Sequence, residues 1–161
     1  MVRLLKYLDG FLEKVIVYAT ARKFDVNNFY TARLAPDMLP LLVQVRIACD
    51  TAKATTANLS SKETPKHEDT EATIDELHAR IGKCLAYLET FTAADFERTS
   101  PQTVIKIPNP PGKGLPADDY LVSRQLPNFY FHVTTAYALL RHGGVELGKR
   151  DYLGPLNLVD T

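Results

Sequence analysis

The residues best suited to chemistry lie in one run, Leu126-Pro127-Asn128-Phe129-Tyr130-Phe131-His132. Asn128, His132 and Thr135 fall at i, i+4 and i+7, which lines up an amide, an imidazole and a hydroxyl along one stripe of a helix. Phe129, Val133, Ala136 and Leu140 form an adjacent apolar stripe that must be covered. The polar stripe is therefore expected to line a cleft rather than face water. An unpaired polar group inside a bundle costs about 1–3 kcal/mol, so partners must come from another helix. Arg46 and Asp50, one turn apart with Lys53 three residues on, are the candidates. Two arrangements are open for them. Spacing alone favours a surface ion ladder worth a few tenths of a kcal/mol per pair. The other is a charged pair facing the same cleft as His132.

The remaining histidines suit structural roles. His67 lies in a polar stretch and is expected to be solvated. His78 adjoins an apolar stripe with no second donor three or four residues away, which suits a half-buried, satisfied ring rather than a metal ligand. His142 ends a helix, where a partly protonated imidazole interacts favourably with the helix dipole. Cys49 and Cys84 fall on apolar helix faces and are expected to be buried, inert thiols. No Gly-rich phosphate loop follows a strand, and no local serine or cysteine nucleophile signature is present.

Several helices are needed to position these groups. Leu4, Leu5, Leu8, Phe11, Leu12, Val15, Ile16 and Ala19 mark a first amphipathic helix. A second is expected from Met38 to about Leu59, with Asp37 as its cap and Pro40 in its first turn. Its first half is apolar nearly all round, so it should pack deeply, and Gln44, Arg46 and Asp50 are its polar exceptions. Residues 60–70 read as a polar loop. Thr73-Ile74-Asp75-Glu76 has the form of a capping box opening a third helix to about Phe91. Pro101, Pro108, Pro110, Pro111 and Pro116 interrupt the next stretch of chain, leaving Thr103–Ile107 as a short strand and at most part of a hairpin. A fourth helix should run from near Asp118 to Arg141 or His142. Pro127 inside it demands a kink or a restart. Gly143-Gly144 should end it, and the tail should fold back.

Composition narrows the class of function. Nineteen basic residues balance nineteen acidic ones over 161 residues, so the general attraction to phosphate backbones is absent and nucleic acid is not an expected partner. Apolar residues make up 45% and charged residues 24%, as in an ordinary water-soluble domain. No apolar run approaches the length that spans a bilayer. Asp9, Glu13 and Lys14 interrupt any signal-peptide core, so a cytoplasmic location is expected. Four long helices, one long polar crossover and no repeats predict an all-α, up-down four-helix bundle in a single domain, 1–161. Val17 and Tyr18 lie beyond the first helix's main stripe, and the second helix is apolar nearly all round. A homodimer through helical faces is therefore expected.

Several segments also resemble a known family. Ala32-Arg33-Leu34-Ala35-Pro36-Asp37-Met38, Gln44-Val45, Asp50-Thr51-Ala52-Lys53, Leu126 to Tyr137, Gly144-Val145-Glu146 and Gly148 to Leu153 together resemble domain of unknown function family 1993, over nearly the whole chain. That family is similar in architecture to the DinB/YfiT-like four-helix bundles. Many of those bind a divalent metal through a histidine on the second helix and an H-x-x-x-H pair on the fourth. The resemblance places His132 on the second histidine of that pair and Asn128 on the first. The second-helix histidine falls near Arg46, with Gln44 the alternative register. An amide oxygen is a weak ligand for zinc or nickel and a guanidinium is none, so neither a metal nor another cofactor is expected. The expected function is a metal-free cleft around Asn128, His132, Arg46, Asp50 and Gln44 that binds a small polar or anionic molecule. The alternatives are a metal-dependent hydrolase or thiol transferase using His132, and a structural dimerisation module.

Overall fold

The computed structural model describes residues 1–60 and 62–159. Ser61 of the expected loop, and Asp160 and Thr161 of the expected domain, lie outside the described residues. Four long helical units form a bundle: α1 (Val2–Arg22), α2 (Leu41–Ser60), α3 (Ile74–Leu88), and a composite unit. The composite unit runs through α4 (Ala117–Asp119), a π-helical stretch (Tyr120–Gln125) and α5 (Leu126–His142). A short α6 (Lys149–Leu153) comes last. The main core draws on every long helix, including Leu5, Leu8, Phe11, Leu41, Val45, Leu77, Ile81, Phe129, Val133 and Leu140. A smaller cluster joins Ile105, Ala117 and Tyr120.

Cross-helix contacts set the helix directions. Met1 and Val2 lie near Leu88 and Leu126, whereas Asn27 just beyond α1 binds the amide of Ile74. Helix α1 therefore runs antiparallel to α3 and parallel to α5. Asn128 reaches Thr51 and His132 reaches Gln44, so α5 is antiparallel to α2. Arg46 pairs near the start of α3, and Thr56 lies beside Leu88 at its end, so α2 and α3 run the same way. The order is up, down, down, up, because the crossover between α2 and α3 is long enough to return the chain to the same end.

Local chemistry explains the element boundaries. Helix α2 begins at Leu41 rather than Met38, and Asp37 does not cap it. The ring of Pro40 biases Leu39 towards extended backbone, so helical hydrogen bonding starts only with the Pro40 carbonyl, which accepts from Gln44 at 3.1 Å. Thr73 and Glu76 form the expected capping box on α3, which ends at Leu88. The π-helical stretch ends two residues before Pro127, which sits in the first turn of α5. A ring without an N–H is tolerated there because first-turn amides lack intrahelical partners. Val104–Lys106 (β1) pairs antiparallel with Gly114–Pro116 (β2), the small hairpin allowed by the sequence. Gly144 takes φ +95°, and a Cβ there would collide with the Tyr18 hydroxyl. Helix α6 folds back on α1, where Lys14 Nζ meets Asp151 Oδ1 at 2.6 Å and Tyr152 stacks on Phe11.

Candidate functional site

The face between α2 and α5 carries a buried polar ladder. The Gln44 Nε2 amide donates to the carbonyl of Leu39, which precedes the helix, at 2.8 Å. That contact fixes the amide orientation, so the oxygen Oε1 faces His132 Nδ1 at 2.7 Å. Nδ1 must then carry the proton and donate, leaving Nε2 with its lone pair. Gln44 is 1% exposed and His132 6%. Burial lowers the His132 pKa from the ordinary 6.5, so the ring is neutral at pH 7. One turn away, Asn128 Nδ2 donates to Thr51 Oγ1 at 2.8 Å. Among the described residues, neither Asn128 Oδ1 nor His132 Nε2 has a hydrogen-bond partner. The ladder offers two acceptors one helical turn apart.

Arg46 and Asp50 belong to a different system. They do not pair with each other, and the structure does not bring them to His132. Arg46 donates from Nε to Glu71 Oε2 at 2.7 Å and from a terminal nitrogen to the Glu71 carbonyl at 2.9 Å. Asp50 accepts two bonds of 2.9 Å from one terminal nitrogen of Arg80 and meets Lys53 at 2.9 Å. The expected single cleft is thus divided, because side chains at 44 and 51 point from α2 towards α5 while those at 46, 50 and 53 point towards α3 and its leading loop. Of the surface ladder, only the Asp50–Lys53 pair forms, and Lys53 is 2% exposed.

Arg80, like Thr51 in the ladder, is a residue that sequence reasoning missed. It is 2% exposed and lies at the hub, bound to Asp50, to Glu71 Oε1 at 2.8 Å and to Asp69 at 2.9 Å. Burial pulls its pKa down, but hydrogen bonds to Glu71 and the charge of Asp50 outweigh it, and the guanidinium stays charged. Glu71 feels the same balance. Burial pushes its pKa up, and the hydrogen bonds from Arg80, a backbone amide and Arg46 hold it below the ordinary glutamate value. The available signal was position: Leu77, Arg80 and Cys84 fall at i, i+3 and i+7 on a buried stripe. His67 also departs from expectation. It is part-buried, with an Nδ1 that is fully enclosed and makes no hydrogen bond. His78 binds Asp9 through Nδ1 at 2.7 Å, which raises its pKa. His142 is exposed, and Cys49 and Cys84 are buried free thiols.

The ladder does not fit a transition metal. Gln44 spends its oxygen on His132, Asn128 offers only an amide oxygen, and Arg46 is turned away, which leaves His132 Nε2 as one good ligand. Among the described residues there is no group of three or more His, Cys, Asp or Glu placed to hold an ion.

The helix directions give a four-helix bundle, and a solved structure from the DinB family shares this fold. A crystal structure of a DinB family member protein from Shewanella denitrificans superposes with a TM-score of 0.93 at 41% identity, covering 99% of this chain and 90% of that one. The family model for Domain of unknown function (DUF1993) matches residues 1–153, and the chain belongs to that family. No curated protein matches it.

Proposed function

We propose that this chain is a metal-free binding module, a single domain that takes a small polar molecule on the α2–α5 face beside His132. The observation that carries this reading is the Gln44 clamp. Leu39 fixes Gln44, Gln44 fixes the imidazole tautomer, and a neutral Nε2 acceptor is the result. Asn128 Oδ1 adds a second acceptor. Two acceptors favour a ligand bearing hydroxyl or amino donors over an anion, because the cations Arg46 and Arg80 are committed on the far side of α2. Screening polyols, amino alcohols and simple amines by protein-observed NMR tests this. Binders should move the side-chain signals of His132 and Asn128 and lose affinity in His132→Ala. Binders that move other faces and leave His132 unchanged would refute it.

A dimer is the second reading, and a specific observation favours it. Val17 is 68% exposed, Val122 61%, Phe131 56% and Tyr130 47%, which leaves apolar surface on α1 and the composite unit uncovered. Sedimentation at tens of micromolar checks it, and a monomer there counts against it. No helix among the described residues is long and apolar enough to cross a membrane. We place the protein in the cytoplasm, where two unpaired thiols stay reduced.

A further inference from the structure

A second site lies on the opposite side of α2, and it does not depend on the α2–α5 ladder. A cavity of about 350 Å³ opens between α3 and the crossover loop. Its lining includes Lys66, His67, Glu71, Glu76, Arg80 and Lys83. The acceptors and donors of this lining differ in how far they are already engaged. Glu71 spends both carboxylate oxygens on Arg80 and Arg46. Glu76 accepts from the amides of Ala72 and Thr73 through one oxygen, Oε2. Glu68, also on the wall, pairs with Lys66 at 2.8 Å.

The donors are less engaged. Arg80 is bound through its terminal nitrogens, but its buried Nε–H makes no hydrogen bond. His67 Nδ1 is likewise enclosed and without a partner, and it donates when the ring takes the Nδ1-protonated tautomer. Lys83 is exposed and makes no ion pair among the described residues. A buried donor without an acceptor costs free energy that a bound acceptor would recover. We propose that this cavity binds a small oxyanion, a carboxylate or phosphate group, held by Arg80 Nε, His67 Nδ1 and Lys83 Nζ. Burial lowers the His67 pKa first, and the positive charges of Lys53, Arg80 and Lys83 lower it further against the raising effect of Asp50. Those three cations are the part of the surroundings that favours an anion.

The test uses the full chain and two probes, inorganic phosphate and acetate, each titrated against sodium chloride at matched ionic strength. The readout is the His67 ring signal, with Lys83→Ala and His67→Ala as variants. Thermal melts by circular dichroism establish that both variants fold. Arg80 is left intact because it holds the ion network together. Saturable movement of the His67 signal is expected, with affinity reduced about tenfold in Lys83→Ala, the weight of one charge-assisted hydrogen bond. In His67→Ala the neighbouring amide signals supply the readout, and the same weakening is expected. Saturation by phosphate alone assigns the site to phosphoryl groups, and saturation by acetate assigns it to carboxylates. Shifts that match those of chloride, or equal affinity in folded Lys83→Ala, would overturn the proposal.

Discussion

Gln44 and His132 meet across the α2–α5 interface at 2.7 Å, and the amide dictates which imidazole nitrogen carries the proton. Leu39 completes the relay from backbone to amide to ring. His132→Ala should therefore cost about 1–3 kcal/mol, since it leaves the Gln44 oxygen buried without a donor. Gln44→Ala should cost a similar amount. The double variant should cost clearly less than the sum, because both changes remove one shared contact. Denaturant melts of the three proteins give the cycle, and strictly additive losses would disprove the coupling.

Arg80→Met should be among the most destabilising single changes in the chain. Removing one partner from a buried ion cluster costs about 3–5 kcal/mol. The lower end is expected, because Asp50 is 47% exposed and can rehydrate whereas Glu71, at 10%, stays enclosed. A loss within about 0.5 kcal/mol, the range of an ordinary surface site, would contradict the hub assignment.

Two histidines should respond to pH in opposite directions. The His78 pKa is raised by its hydrogen bond to Asp9, so its contribution is full below 6.5 and fades as pH rises through its folded value. The His132 pKa is lowered by burial, so its contribution is full above 6.5 and fades as pH falls through its folded value. Melts at pH 5 and pH 8 should show His78→Ala losing more at the lower pH and His132→Ala losing more at the higher. The reverse pattern in either variant would contradict its assigned environment.

Legibility in the sequence depended on the nature of each signal. The first, third and fourth helical units showed in apolar periodicity and the second in helix propensity without breakers, and the capping box at Thr73 and Glu76 was read with its correct boundary. Pairing of Asn128 and His132 with α2 could be anticipated, since a polar stripe beside an apolar one needs partners. On α2, Gln44 was named only as the alternative register to Arg46, and Thr51 was not named as a partner. Gln44 and Arg46 sit two positions apart, about 200° around a helix, so a small error in register exchanges a buried partner for one on another face. The shift of the α2 start from Met38 to Leu41 has a separate cause, the bias that Pro40 places on the residue before it. Arg80 stayed hidden because its partners Asp69 and Glu71 come from a loop whose path no periodicity describes.

Chelation should leave the protein unaffected. The donor set at His132, Asn128 and Gln44 suits no transition metal, so melting in the presence of excess chelator should match melting without it. A lowered melting temperature, with near-unit zinc, nickel or iron by elemental analysis of untagged protein, would reverse that conclusion.

The central claim is a neutral His132 that presents a bare Nε2 as an acceptor, and a long-range proton–nitrogen NMR spectrum of the imidazole rings at pH 7 reads it directly. The structure predicts the Nδ1-protonated tautomer for His132, lost as a distinct signal only in His132→Ala and unmoved by chelator. An Nε2-protonated tautomer, a doubly protonated ring at that pH, or a metal-shifted Nε2 signal that chelator releases would contradict it.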